Sequence, residues 1–342
     1  MRELFKGKDI LVTGGCGSIG SEIVNQLLEY NPKRIRVFDQ NESGLFHLQE
    51  RVEFEKKEKA KVVRYLIGDV RDRYRLKRAL KGVDIVFHAA ALKHVPLCEY
   101  NPSEAVATNV IGTENLIDVA RQENVERFVS ISTDKAVNPI NTMGATKLLS
   151  EKLTMTGSFG DYRTLFSCVR FGNVLNSDGS VVPIFRRQIS RGCPVTITSK
   201  EMTRFFMSMQ EAVNLVLKAA KIMKGREIFI LKMNSVNIKD LAEVLIEELA
   251  PKYGHNPKDI KIKEIGIRPG EKLYESLLTK EDIAHVRETE DMYILRSAIL
   301  TPTCIERGYT SKDIKIHRYS SRSTRILTKE EIKKKLYKYK IL

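Results

Sequence analysis

The chain lacks the features that mark several classes of protein. Its five cysteines, Cys16, Cys98, Cys168, Cys193 and Cys304, are scattered, odd in number and without a CxxC pair. That argues against a disulfide framework and for free thiols in a reducing cytoplasm. The six histidines show neither HxxxH nor HExxH spacing, so no metal site is expected. No apolar run approaches the roughly 20 residues needed to span a bilayer, and no cleavable leader is legible. The most apolar stretch, Val83-Asp84-Ile85-Val86-Phe87-His88-Ala89-Ala90-Ala91, is interrupted by Asp84 and His88 and reads as a buried parallel strand.

Charge is plentiful but not banked. The net charge is +15, yet lysines and arginines are spread along the 342 residues rather than gathered on one aromatic-studded segment. The densest cluster is the tail Lys329 to Lys340, where Thr328 and Glu331 have the spacing of a capping box and mark a solvated terminal helix. No nucleic-acid partner and no stable membrane insertion are expected; an anionic small molecule suits the positive balance. The length allows one large or two ordinary domains.

What is present begins at Thr13-Gly14-Gly15-Cys16-Gly17-Ser18-Ile19-Gly20, directly after the apolar run Ile10-Leu11-Val12. A strand that turns on glycines into a helix is a pyrophosphate cradle. Gly14 and Gly17 are open to backbone angles closed to other residues, Gly20 admits close helix–strand packing, and the helix start attracts phosphate. A lone glycine motif is weak, but Ile23, Val24, Leu27 and Leu28 continue at helical spacing, and a second strand, Ile35 to Phe38, ends on Asp39. A carboxylate there accepts from ribose hydroxyls and repels a 2′-phosphate. NAD is therefore the expected cofactor, with NADP the alternative; Arg36, earlier on the strand, is poorly placed to receive a 2′-phosphate.

Strands are expected at 8–13, 34–38, 61–67, 83–88 and 127–132, with helices near 18–30, 41–57, 72–80, 102–123 and 143–156. This alternation predicts an α/β fold, a Rossmann doubly wound parallel sheet covered on both faces, with ligands outside the carboxyl ends of the strands. Near residue 173 the pattern changes to a polar stretch, Asn173 to Ser180, and an amphipathic run, Val182 to Ile189. We expect a nucleotide-binding domain over 1–172, with a return segment about 205–233. A smaller C-terminal α/β substrate domain is expected over 173–342.

The next segment, Phe128-Val129-Ser130-Ile131-Ser132-Thr133-Asp134-Lys135, is an apolar strand ending in hydroxyl, carboxylate and ammonium, and Met143-Gly144-Ala145-Thr146-Lys147 follows at a helix start. Here the sequence resembles the extended short-chain dehydrogenase/reductase family, over almost the whole chain. It departs at one place: the family's YxxxK tyrosine is Met143, and none of the twelve tyrosines is followed by lysine four residues later. That departure is similar to the UDP-N-acetylglucosamine 4,6-dehydratase subgroup. The supporting strings are Ala90-Ala91-Leu92-Lys93-His94-Val95-Pro96, Ser132-Thr133-Asp134-Lys135, Met202-Thr203-Arg204-Phe205 and Ile267-Arg268-Pro269-Gly270-Glu271-Lys272.

The resemblance implies hydride removal from C4 by NAD, loss of the C5 proton with elimination of the C6 hydroxyl, and hydride return to C6. Lys135 is then the C5 base and Asp134 the C6 acid, each needing a pKa moved toward neutrality, with Thr133 beside them and Lys147 on the nicotinamide ribose. Met143, at the tyrosine's catalytic position, has no proton to give and is equally read as core packing. Gly14, Gly17, Ser18, Ile19, Gly20, Asp39, Asp69, Val70, Ala89, Ala90, Ala91 and Lys147 are expected along the cofactor, with Asn109 as support. Lys93, Asn173, Ser180, Val181, Arg204, Arg268 and Glu271 are expected around a UDP-sugar, the two arginines on its diphosphate. The family also implies a homo-oligomer. Two alternatives stay open: a UDP-sugar epimerase, against which the missing tyrosine argues, and a non-catalytic nucleotide sensor, against which the retained Thr133, Asp134, Lys135 and Lys147 argue.

Overall fold

A computed structural model describes residues 1–158, 163–177, 179–296 and 318–342; Cys304 lies outside them. Nine strands form the main sheet: β1 (Asp9–Thr13), β2 (Arg34–Asp39), β3 (Val63–Ile67), β4 (Ile85–His88), β5 (Arg127–Thr133), β6 (Leu165–Phe171), β7 (Glu227–Leu231), β8 (Val286–Glu288) and β9 (Met292–Arg296). Their order is β8-β9-β7-β6-β5-β4-β1-β2-β3. From β3 to β7 every pairing is parallel. The order 3-2-1-4-5-6 is that of a Rossmann fold, and it reverses direction between β1 and β4.

Alternation along β1 explains why the sheet is covered twice. Ile10 and Val12 belong to one apolar core with Ile23, Val24 and Leu27 of the helix Ser18–Leu27 and Val213 and Val216 of the helix Met209–Ile222. Leu11 points the other way, into a core with Leu76, Leu80, Leu116 and Phe128. All of β1 is buried, as a strand sandwiched between helix layers must be.

Two features were not legible as elements. The helix expected at 102–123 is broken: Pro102–Val106 and Gly112–Gln122 flank a π-helical turn, Ala107–Ile111. The chain also returns to the sheet twice, once at β7 within the expected segment and again at β8 and β9, which add an antiparallel edge. Strands of three and five residues carry little periodicity of their own; pairing with distant β7 fixes them.

A separate core gathers Val182, Phe185 and Ile189 with Leu241, Leu245 and Leu249 and with Ile332 and Leu336 of the terminal helix Lys329–Lys338. The Thr328–Glu331 capping box is formed. Lys329 and Lys333 pair with Glu243 and Glu248 of the helix Ile238–Leu249, so part of the basic tail faces carboxylates. Among the described residues no helix is long and apolar enough to cross a membrane.

Candidate active site

The crevice opens where β1 and β4 end. Gly14 has φ of +63°, and a Cβ on it would lie 2.5 Å from the Ala90 nitrogen, so the glycine turn and the 89–91 loop meet there without room for a side chain. A Cβ on Gly20 would fall 2.1 Å from the Gly14 carbonyl oxygen. Gly17 differs from expectation: its φ is −69°, ordinary for any residue, and it serves as the N-cap of the helix that starts at Ser18 and Ile19. The cap carries no side chain, which keeps that helix start accessible to phosphate oxygens.

Asp39, at the end of β2, accepts hydrogen bonds from the backbone N–H of Cys16 (3.2 Å) and of Asn41 (3.0 Å), so its carboxylate is tied to the glycine turn. Burial pushes the Cys16 thiol up to about 12, with the Asp39 hydrogen bond and charge adding; it stays protonated. Arg36 is spent elsewhere, donating to the carbonyls of Ala79 and Lys81. Asp69 pairs with Arg71 at 2.6 Å. Burial opposes its ionisation, but the Arg71 bonds hold its carboxyl below the ordinary value. Val70 is buried against Gly112, where a Cβ would meet its Cγ2 at 2.6 Å.

Behind the 89–91 loop lies a polar network that sequence reasoning placed only in part. His88 is buried between the hydroxyls of Thr13 (2.7 Å) and Thr113 (3.0 Å). Burial, helped by the Lys147 charge, drives it down to about 3, so it is neutral. Asn109, inside the π turn, clamps Leu92 through both its N–H (2.8 Å) and its carbonyl (3.0 Å) and reaches Thr146. Lys147 is buried and donates to the Ile131 carbonyl at 2.6 Å; burial lowers its pKa against the pull of Cys168 and Glu151. Met143 packs with Cys98, Ala105, Leu92 and Val95, which is the packing role.

At the end of β5 the Thr133 hydroxyl donates to Asp134 Oδ1 (3.0 Å), and Lys135 Nζ donates to the same oxygen (3.0 Å). Asp134 is fully buried, and its Oδ2 has no hydrogen-bond partner among the described residues. The expectation that Lys135 is tuned toward neutrality is not met. Burial works to lower its pKa, but Asp134 and Glu275 outweigh burial and raise it. Glu275, 3.7 Å from Lys135, escaped the sequence reading entirely. So did the buried pair of Glu151 and Arg170, which holds the Ser132 hydroxyl at 2.5 Å.

The roof comes from the later chain. Ser180 caps the helix Val181–Ser190, but its hydroxyl bonds no backbone N–H there; Ser180 Oγ and Asn173 Oδ1 are both buried without a hydrogen-bond partner among the described residues. Gly179 packs on His94, so this segment meets the loop that bears exposed Lys93. Asn141 caps the helix Thr142–Thr156 and also donates to the Gly270 carbonyl (2.7 Å), tying the 268–271 loop to the start of that helix. Arg204 corrects an expectation. Its guanidinium donates to the carbonyls of Thr203, Leu273 and Lys272 and lies 3.6 Å from Glu271, so it braces the roof rather than presenting a free fork. Arg268 is exposed, and its side chain is not engaged in this way.

Four buried polar atoms without partners among the described residues, Asp134 Oδ2, Glu275 Oε2, Asn173 Oδ1 and Ser180 Oγ, thus lie on the elements that bound this crevice. Such atoms are costly unless a ligand or water completes them. The glycine cradle, the carboxylate at β2 and these groups suit a dinucleotide and a polar substrate. Among the described residues no cluster could hold a metal ion.

A family model described as "Polysaccharide biosynthesis protein" matches residues 10–297. The chain is 59% identical over 332 residues to an "uncharacterized membrane protein" of Methanocaldococcus jannaschii, covering 96% of this chain and 95% of that one. It is 43% identical over 300 residues to a "UDP-N-acetylglucosamine 4,6-dehydratase (inverting)" of Campylobacter jejuni, covering 86% and 85%. Among solved structures, Pen from Bacillus thuringiensis matches with a TM-score of 0.91 and 42% identity over 99% of both chains. The chain spans about half the length (48%) of the capsular polysaccharide biosynthesis protein CapD of Staphylococcus aureus.

Proposed function

Since the chain belongs to the polysaccharide biosynthesis protein family, we propose that it is an NAD-dependent UDP-N-acetylglucosamine 4,6-dehydratase. Its product is a UDP-4-keto-6-deoxy-N-acetylhexosamine for surface-glycan or glycoprotein sugars. The observation that carries this reading is the pair of buried Asp134 and partly buried Lys135 at the end of β5, with an apolar methionine where a tyrosine would serve the C4 hydroxyl. When bound, NAD supplies oxidation at C4 and returns the hydride at C6.

The residues of the chain do the rest. The ammonium of Lys135 and the carboxylate of Asp134 share one hydrogen bond of 3.0 Å. Moving that proton from Nζ to Oδ1 yields a neutral amine and a carboxylic acid, the base and acid that the elimination needs, with no proton taken from solvent. The amine then accepts the C5 proton while the acid protonates the departing C6 hydroxyl. Lys147, Asn109 and the 89–91 loop fix the reacting face, and the Ser180–Val181 helix start with Asn173 and Lys93 receives the diphosphate and sugar.

Purified protein given UDP-N-acetylglucosamine and NAD is expected to release a product lighter by one water. An isobaric isomer would establish the epimerase, and binding without turnover the sensor. Residues 1–172, with the return about 205–233, are read as the nucleotide lobe and 173–342 as the sugar lobe; β8 and β9, which join the same sheet, extend the return to 286–296. Cytoplasmic residence and a homo-oligomeric state complete the proposal, the latter checked by sedimentation.

Two binding predictions follow from the geometry. Asp39→Ser is expected to narrow the preference for NAD over NADP by roughly tenfold, about 1.4 kcal/mol, because it removes the charge that opposes a 2′-phosphate. Calorimetry with both nucleotides checks it, and an unchanged ratio would refute the role. Arg268→Ala is expected to raise KM roughly tenfold or more, in line with about 1.5–3 kcal/mol for a hydrogen bond to a charged group. Unaltered UDP affinity in that variant would move the diphosphate away from the 268–271 loop.

A further inference from the structure

We propose that Glu275 is a positioning residue that acts through Lys135. While Glu275 holds a proton, the Asp134–Lys135 pair is free to exchange its own; once Glu275 is charged, the ammonium on Lys135 is locked. This rests on the dehydratase reading above and adds to it a third member of the acid–base group, supplied by the later chain.

The geometry is specific. Glu275 immediately precedes the short strand Ser276–Leu278, and its backbone is held on both sides by one residue: its N–H donates to Ser321 Oγ (3.0 Å), and its carbonyl accepts from the Ser321 N–H (2.8 Å). The side chain is 3% exposed. Oε1 lies 3.7 Å from Lys135 Nζ, and Oε2, 3.8 Å from Lys272 Nζ, has no hydrogen-bond partner among the described residues. Lys135 is faced by Asp134, Glu275 and Arg204; Glu275 is faced by Lys135, Asp134, Arg204 and Lys272. Lys272 is also anchored to the Val137 carbonyl (2.8 Å), and Arg204 to the roof carbonyls, so those two cations are held by backbone as well as by charge.

Glu275 is buried beside a second carboxylate, Asp134, which disfavours its charge, while three cations, Lys135, Arg204 and Lys272, favour it. Burial is the largest influence on Glu275, and together with the Asp134 charge it raises the pKa of the carboxyl against the pull of Lys135, Arg204 and Lys272. With Glu275 neutral, transfer of a proton from Lys135 Nζ to Asp134 Oδ1 breaks one N–H bond, forms one O–H bond and leaves the total charge unchanged. With Glu275 ionised, the same transfer would move positive charge away from a neighbouring carboxylate. Ionisation of Glu275 as pH rises therefore opposes the elimination.

The test is the pH profile of kcat/KM for water loss in wild type and Glu275→Gln, which imitates the protonated acid permanently. The alkaline limb is expected to move up by at least about one pH unit, while Glu275→Asp keeps a limb. A Gln variant whose profile keeps the wild-type shape overturns the proposal, and so does one inactive at every pH, which would make Glu275 the base itself. A second readout needs no turnover: competitive acylation of Lys135 against pH, quantified by mass spectrometry. In Glu275→Gln the Lys135 amine is expected to label at a pH lower by about one unit, and identical labelling curves overturn the proposal. A wild-type protein that forms no dehydrated product would overturn the dehydratase reading instead, while the labelling curves still decide Glu275.

Discussion

Lys135→Met is expected to lower turnover by about 10²–10⁴-fold, the usual contribution of a placed acid or base, and to abolish solvent deuterium incorporation at C5. Asp134→Asn is expected to fall in the same range, because an amide neither receives the Lys135 proton nor gives one to the departing hydroxyl. The structure sharpens the reason. The two groups already share the proton along a 3.0 Å bond, so either substitution removes both the acid and the base at once. Effects of residues that act as a unit do not add, and the double variant should be scarcely worse than either single one. Met143→Leu makes the contrast. Met143 lies in an apolar cluster with Cys98 and Ala105, and leucine keeps its size and apolarity, so most turnover should remain. Normal C5 exchange in Lys135→Met would exclude Lys135 as the base and leave Asp134 or Glu275 to be examined.

The parts of the site that could be read in advance are those whose signal is local. Gly14 lies in the turn and Gly20 in the first turn of the helix that follows it, Asp39 ends the next strand, and Thr133, Asp134 and Lys135 are consecutive; strand–turn–helix chemistry puts them at the carboxyl ends of the strands. Glu275 was missed because its partner is made by long-range closure: nothing in Lys272-Leu273-Tyr274-Glu275 distinguishes it from a surface acid until Ser321 and the end of β5 are brought to it. The π turn around Asn109 was hidden for a different reason. Its residues have ordinary helix composition, and what reshapes the backbone is tertiary: Asn109 reaches Leu92 and Thr146, and the Asn109 carbonyl accepts from Thr113 at 2.6 Å. Arg204 shows the opposite error. A lone arginine in a recognisable string invites a ligand, yet three of its five N–H donors go to backbone carbonyls of the roof.

Breaking the pair of Glu151 and Arg170 is expected to cost about 3–5 kcal/mol of folding stability, the range for a buried ion pair that loses one partner. The side chains are 2% and 4% exposed. The guanidinium meets the carboxylate as a fork, Nε to Oε1 at 2.9 Å and the terminal nitrogen to Oε2 at 2.6 Å, while its other terminal nitrogen donates to the Leu277 carbonyl at 2.8 Å. Burial opposes the charge on Arg170, but Glu151 and Asp282 more than offset it and raise its pKa. Arg170→Met would leave the Glu151 carboxylate with only the Ser132 hydroxyl bonded to it among the described residues, and Glu151→Leu would leave the guanidinium without its fork. Each single variant should therefore be strongly destabilised. The double variant should lose less than the sum of the two, because the desolvation of both charges disappears with them. Urea denaturation of the four proteins closes this cycle, and single-variant losses under about 1 kcal/mol would show that the pair contributes little. The pair also joins the helix that carries Met143 and Lys147 to β6 and, through Ser132, to the strand that ends at Asp134. A loosened pair should therefore lower kcat at temperatures where the protein is still folded, since the proposed acid and base and Lys147 would no longer share one rigid frame.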